Sequence, residues 1–157
     1  MTANTLVAGV ELVGAMTFRA TTASGHAVVM DSSPDVGGTH AGATPMELLM
    51  VSLGGCTGMD VISILRKMRQ DVTSYEVRVS GVRATEHPKI FTSIQVEHVV
   101  QGRGLSVESV KRAVELSATR YCSAAAMLGQ AARIDNSYRV IDQQTGQEQV
   151  GTLTPAA

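Results

Sequence analysis

The stretch PMELLMVSLGGCTGMD, residues 45–60, decides the fold of this 157-residue chain. Thr44 can cap a helix here, Pro45 suits its first turn because the missing N–H would have no partner, and Glu47 complements the positive helix end. The apolar residues that follow predict a helix that continues to about Arg69. Because apolar side chains occupy most of its circumference, we expect this helix to be central and buried.

Three glycines, Gly54, Gly55 and Gly58, interrupt the predicted helix, and each lowers helix stability by roughly 1 kcal/mol relative to alanine. A structural explanation is the close approach of another backbone, from this chain or a symmetry mate, or a kink that presents Cys56. A functional explanation is room for a substrate above the Cys56 sulfur. Both explanations are open, and both can hold at once.

The segment before this helix predicts strands and a loop. Apolar and polar side chains alternate within residues 5–31 and the chain turns at Ser24-Gly25, which predicts a two-stranded start of a sheet. Residues 31–44 are rich in Gly, Ser, Pro and Asp, and we expect them to form a mobile loop.

The segment after the helix adds strands and two more helices. Alternating patterns predict antiparallel strands around residues 75–79 and 94–100, Ser106 is expected to cap a second helix, and a short helix at 124–132 precedes a last strand at 138–141. The predicted fold class is α+β. We expect one domain over residues 1–142 and a polar, flexible tail over residues 143–157.

Composition excludes several function classes. The chain has 13 basic and 14 acidic residues and no basic block beside aromatic residues, so nucleic-acid binding is disfavoured. We find no apolar run near the roughly 20 residues of a membrane span, and no basic segment before the N-terminal apolar stretch. We therefore expect a soluble, cytoplasmic protein without a membrane partner. The four histidines are scattered, so neither a metal site nor a bound cofactor is expected.

Two cysteines, Cys56 and Cys122, are the residues with the most reactive chemistry. Each lies at the edge of a small-residue helical segment, so one sulfur could attack a substrate and the other could resolve the product. Buried, inert thiols are the alternative, because free cysteine packs like a small apolar residue.

The arrangement of these segments resembles a known family. Pro45-x-Glu-Leu-Leu, then Gly54-Gly55-Cys56, a long helix, two strands, a helix and Tyr121-Cys122-Ser123 are similar to the OsmC/Ohr family of thiol peroxidases, over about residues 10–141. Within it, the chain most resembles the branch with Gly-Gly-Cys at the first thiol. The resemblance implies an OsmC-like fold, with an antiparallel β-sheet packed on a long central helix in an intertwined homodimer.

The resemblance also implies an activity, the thiol-dependent reduction of organic hydroperoxides in oxidative stress. Cys56 would attack the peroxide, Cys122 would resolve the sulfenic acid, Arg19 would polarise the peroxide, and a small or lipoyl-type dithiol would be the reductant. Because Cys122 lies where a helix begins, we expect the helix dipole to favour its thiolate.

Two departures from the family and the position of Asp60 keep alternatives open. The family position for the glutamate that fixes the arginine holds Met46, so Glu47 is either a catalytic residue or a first-turn carboxylate. The residues flanking Arg19 do not match the family pattern, and Arg120 and Arg66 are further candidates. Asp60 lies one turn from Cys56, and we expect an arginine to bridge the two.

A different class of function is also compatible with these departures. It is a non-catalytic, dimeric, stress-related protein that keeps the fold and binds an apolar ligand.

Overall fold

The computed structural model describes residues 4–153, which form two compact units divided between Leu49 and Met50. The first unit contains an antiparallel sheet of three strands in the order β1-β2-β3. These strands are β1 (Ala8–Leu12), β2 (Phe18–Thr22) and β3 (Ala27–Met30). The sequence predicted only two strands here. The additional strand, β1, forms because the chain reverses between Val13 and Thr17 and pairs Leu12 with Phe18.

The loop after β3 is anchored by one carboxylate, which the sequence did not predict. Asp31 is buried and accepts hydrogen bonds from the backbone N–H groups of Ser32, Thr39 and Ala41 and from the Thr39 hydroxyl. These bonds hold the pKa of Asp31 well below its usual range. The loop is therefore tied to the end of β3, contrary to the predicted mobile segment.

Helix α1 (Pro45–Lys67) begins as the sequence predicted. The Thr44 N–H and hydroxyl both donate to the Glu47 carboxylate, and the Glu47 N–H donates to the Thr44 hydroxyl, which makes a capping box. The helix ends two residues earlier than predicted because Arg69 adopts a left-handed conformation with φ of 57°.

The predicted burial of α1 is wrong for the single chain. One stripe is buried, formed by Leu53, Thr57, Val61 and Leu65, but Val51 is 65% and Met59 74% exposed. By length and composition α1 is also apolar enough to cross a membrane, contrary to the sequence prediction that no such run exists. Core helices of soluble proteins can have the same length and composition, so this feature alone does not identify a membrane-spanning helix.

The second unit contains a four-stranded sheet in the order β4-β5-β6-β7. Its strands are β4 (Asp71–Arg83), β5 (Phe91–Arg103), β6 (Arg133–Asp142) and β7 (Glu148–Thr152). The β4/β5 and β6/β7 pairs are antiparallel, but β5 and β6 are parallel. The sheet is mixed rather than fully antiparallel because the β5–β6 connection is a helical crossover, which brings the chain back in the same direction.

Strand β7 corrects the predicted flexible tail. Asp142 accepts hydrogen bonds from the N–H groups of Gln144 and Thr145, and Gly146 takes a φ of 71°, so the chain reverses and pairs with β6. Leu153 then packs against the core. Residues 154–157 of the predicted tail lie outside the described residues.

The helical crossover contains α2 (Val107–Leu116), a π-helical turn (Ser117–Tyr121) and α3 (Ser123–Leu128). Ser106 caps α2 as predicted, by accepting the Ser109 N–H. Helix α3 is shorter than predicted. The main core lies between α1, α2 and the sheet, and its fully buried members include Val61, Leu65, Val100, Val110 and Val114.

The glycines of α1 have different surroundings. A Cβ atom at Gly54 would lie 3.2 Å from Val79 of β4, and one at Gly58 would lie 3.3 Å from Val77. A Cβ atom at Gly55 would meet nothing within 4 Å. Close approach of β4 therefore explains Gly54 and Gly58, and Gly55 faces open space.

Candidate active site at the two cysteines

The two sulfurs lie close together, as the sequence predicted. Cys56, on α1, is half-buried, and Cys122, just after the π-helical turn, is 3% exposed; both are free thiols. The Sγ atoms of Cys56 and Cys122 and a carboxylate oxygen of Asp60 all lie within 4.8 Å of one another. We refer to these three residues as the thiol–carboxylate cluster.

Asp60 is held by hydroxyl groups. The Ser117 hydroxyl donates to Asp60 Oδ2 at 3.0 Å, and the hydroxyls of Ser117 and Thr57 lie 2.8 Å apart. Because a serine has one hydroxyl proton, Thr57 must donate to Ser117 when Ser117 donates to Asp60. No ion pair involves Asp60 within residues 50–153. The expected arginine bridge is thus replaced there by the hydroxyls of Ser117 and Thr57.

Sequence reasoning missed Ser117 and Thr57. Both are buried polar residues, but nothing in the local sequence distinguishes them from other serines and threonines. The one available signal was the position of Thr57 on the buried stripe of α1, where an apolar residue would be expected.

The expected effect of the helix start on Cys122 is present, but burial of the sulfur outweighs it. The Ala125 N–H donates to Cys122 Sγ at 3.4 Å and favours the thiolate. Burial has the larger effect and raises the pKa of Cys122 to about 11, and Cys56 and Asp60 contribute to the rise. The deep sulfur is therefore a thiol, and the accessible sulfur is Cys56.

The half-buried Tyr75 and the buried His98 form a hydrogen-bonded pair. The Tyr75 hydroxyl lies 2.7 Å from His98 Nδ1, and their rings are stacked. Burial lowers the pKa of His98 to about 4, so the ring is neutral at pH 7. Burial and the nearby Asp60 carboxylate raise the pKa of Tyr75. His98 is thus a neutral core histidine.

The other candidate residues have separate locations. Arg19 lies on β2 of the first unit, where its side chain is exposed, and Glu47 makes the capping box described above. Glu47 therefore takes the first-turn role that its position left open. Arg120 is exposed and lies over the Tyr121 ring at 5.6 Å, and Arg66 is exposed in the last turn of α1.

Two grooves of the second unit adjoin α1. The larger, of about 620 Å³, lies between α1 and β4 and is apolar apart from Tyr75; it is lined by Met50, Val51, Gly54, Gly55, Gly58, Met59, Ile62, Tyr75, Val77 and Val79. The smaller, of about 350 Å³, gives access to Asp60 and is lined by Asp60, Ser63, Ile64, Lys67, Leu116 and Tyr121.

Comparisons with known proteins identify relatives of the whole chain. Residues 38–137 match the model of the OsmC-like protein family. The chain is 44% identical over 134 residues to protein YhfA of Escherichia coli K12, with 85% of this chain and 97% of YhfA covered.

Solved structures agree with this assignment. A hypothetical protein from Aquifex aeolicus shares 32% identity at a TM-score of 0.80, with 90% of this chain and 99% of that chain covered. An organic hydroperoxide resistance protein OsmC from Legionella pneumophila has a TM-score of 0.67 at 12% identity, with 88% and 98% covered, and so shares the fold. From the family match and the 44% identity over most of its length, we conclude that the chain belongs to the OsmC-like protein family.

Proposed function

We propose that this protein is a thiol-dependent peroxidase that reduces organic hydroperoxides in the cytoplasm under oxidative stress. The observation that carries the proposal is the cluster itself, in which an accessible Cys56 lies within 4.8 Å of a buried Cys122. The Legionella pneumophila protein that shares this fold is an organic hydroperoxide resistance protein, which supports the same reaction class.

The proposed reaction has three steps. The Cys56 thiolate attacks the distal oxygen of the hydroperoxide and the O–O bond breaks, so Cys56 becomes a sulfenic acid and the alkoxide leaves as an alcohol after protonation. Cys122 then attacks the sulfenic sulfur, which releases water and forms a disulfide. A small or lipoyl-type dithiol reduces this disulfide by exchange. Arg19 is the proposed residue that polarises the peroxide.

We propose further that the protein is a homodimer in which a second copy covers the exposed side of α1. The large exposed fractions of Val51 and Met59 and the apolar groove beside Gly55 support this assembly. A second copy is a better occupant than a membrane because α1 carries Asp60, whose carboxylate is engaged by Ser117. Sedimentation of the purified protein would give twice the chain mass of 16.5 kDa if the proposal is right.

The central test adds cumene hydroperoxide to reduced protein and follows the thiols by mass spectrometry. We expect a Cys56–Cys122 disulfide within seconds. In Cys122→Ser we expect the sulfenic acid to persist at Cys56, and in Cys56→Ser no reaction. Arg19→Ala should slow the first step, whereas Arg112→Ala, at an exposed ion pair with Glu115, should not. A sulfenic acid found at Cys122 would reverse the assigned roles.

Binding of an apolar ligand without catalysis is the second candidate function. The groove of about 620 Å³ beside α1 favours it. A binder would leave both thiols free after the hydroperoxide is added. It would instead bind an apolar fluorescent probe stoichiometrically, and a bulky residue at Gly55 would block that binding.

A further inference from the structure

The thiol–carboxylate cluster combines ligands that suit a metal ion. Two thiols and one carboxylate converge from α1 and from the start of α3, with their ligand atoms within 4.8 Å of one another. Around a tetrahedral ion with Zn–S distances of about 2.3 Å, neighbouring ligand atoms would be roughly 3.5 to 3.8 Å apart. The ligand atoms therefore need to approach one another by at most about 1.3 Å.

The carboxylate is already oriented for this role. Ser117 donates to Asp60 Oδ2, and Thr57 supports Ser117 from the next position along α1 after Cys56. Hydrogen bonds of this kind hold a carboxylate in a fixed orientation, as they do around ligands in known metal sites.

The charge of the cluster favours a cation. No lysine or arginine of residues 50–153 forms an ion pair with Asp60, so its carboxylate lacks a cationic partner among these residues. A divalent ion would supply that positive charge and would displace the proton of each thiol that it binds. The smaller groove provides a route to the carboxylate past Leu116 and Tyr121.

The ligand types select the ion. Thiolates disfavour Mg²⁺ and Ca²⁺, which prefer oxygen, whereas a carboxylate is a poor partner for Cu⁺. Zn²⁺ accepts both sulfur and carboxylate oxygen and is commonly tetrahedral. We propose that Cys56, Asp60 and Cys122 of the reduced protein bind one Zn²⁺ per chain, with a fourth position open to solvent. The sequence prediction of no metal site rested on histidine patterns and so did not include this set.

Zn²⁺ binding to the two thiols releases protons. One Zn²⁺ replaces the protons of two thiols, so two protons leave as two Zn–S bonds form. If the protein is a peroxidase, as proposed above, the bound ion would occupy the Cys56 sulfur and slow its attack on hydroperoxides. Metal-loaded protein would then be a protected, inactive form.

The test uses Co²⁺ as a coloured substitute for Zn²⁺ on reduced, chelator-treated full-length protein. We expect one Co²⁺ per chain, with the near-ultraviolet absorption of thiolate-to-cobalt charge transfer, and displacement of that absorption by one equivalent of Zn²⁺. Proton release on Zn²⁺ addition should be two per chain. Peroxide reduction is assayed separately on metal-free protein, so a missing peroxidase activity would leave the metal result standing.

Variants assign the ligands. Asp60→Asn should keep the thiolate absorption but bind at least tenfold more weakly, and Ser117→Ala should weaken binding by about tenfold. Asp71→Asn, at an exposed carboxylate paired with Arg103, is the matched control and should bind like wild type. Cys56→Ser, at a half-buried position, should lose one of the two thiolate ligands. Absence of charge-transfer absorption at one equivalent, equal absorption in Cys56→Ser, or equal affinity in Asp60→Asn and Asp71→Asn would each overturn the proposal.

Discussion

At the scale of single residues, the two sulfurs differ in depth, and the difference gives each a distinct behaviour. Cys122 is enclosed and holds its proton, whereas Cys56 lies half-exposed on α1. Sequence predicted that the thiols would meet but not which one would be deep, because depth depends on how the chain after α2 packs on α1.

The first prediction concerns the pH dependence of disulfide formation in metal-free protein. Cys122 must lose its proton to attack, and its pKa is raised to about 11 by burial with Cys56 and Asp60 nearby. Between about pH 7 and pH 9 the resolving step should therefore accelerate by up to tenfold per pH unit. Rapid-mixing measurements of sulfenic acid decay would check this. A rate that does not change over this range would contradict the buried thiol.

The second prediction concerns Ser117, which joins Asp60 and Thr57. Ser117→Ala leaves two polar side chains without their partner, so the free energy of unfolding should fall by about 1 to 3 kcal/mol. Ser123→Ala, at an exposed position in the same crossover, is the control and should change it by less than about 0.5 kcal/mol. Urea unfolding measures both. Equal stability of the two variants would mean that these hydroxyl groups contribute nothing.

At the scale of elements, α1 carries most of the constraints. Its buried stripe packs in the core, and Gly54 and Gly58 allow β4 to approach closely. An apolar side of the helix stays uncovered in the single chain. Two adjacent glycines, Gly54 and Gly55, therefore have different reasons to be present.

The third prediction compares these two glycines. In the single chain a methyl group at Gly55 has open space, so at protein concentrations that keep the chain monomeric Gly55→Ala should raise the free energy of unfolding by about 0.5 to 1 kcal/mol through helix propensity. Gly54→Ala should gain less because its methyl group would press on Val79. Thermal or urea unfolding of both variants gives the comparison. If Gly55→Ala is instead the less stable variant under these conditions, the space beside Gly55 in the single chain is not open.

The sequence predicted the starts of helices that depend on capping residues within a few positions of the helix. Thr44 and Glu47 predicted the start of α1, and Ser106 predicted the start of α2. The parallel β5–β6 pairing was not predicted, because it depends on the path of the whole crossover. The contact between Ser117 and Asp60 was missed for the same reason: it joins residues far apart in sequence.

At the scale of the whole molecule, the buried His98 links folding stability to pH. His98 is fully buried and its pKa falls from 6.5 to about 4, so the folded protein binds fewer protons than the unfolded chain between these values. The contribution of the neutral, buried His98 to the free energy of unfolding is then fully present above about pH 6.5 and is lost as the pH falls toward 4.

The fourth prediction measures this loss. Between about pH 7 and pH 4, wild type should lose about 3 kcal/mol more of its free energy of unfolding than His98→Gln, which cannot titrate. Denaturant unfolding at several pH values provides the curves, and exposed carboxylates affect both proteins equally. Parallel curves for the two proteins would show that His98 is protonated equally in the folded and unfolded chain.

The π-helical turn over Ser117–Tyr121 determines which single-residue deletions leave the two cysteines in contact. A π turn is a helix that has accommodated an extra residue, so deleting Ala118 would let α2 continue in the ordinary α-helical register. Because the wide turn absorbs that one residue, the side chains after the deletion would keep their direction around the helix. A deletion within α2 has no wide turn to absorb it, so it would rotate the side chains that follow by about 100° and turn Cys122 away from Cys56.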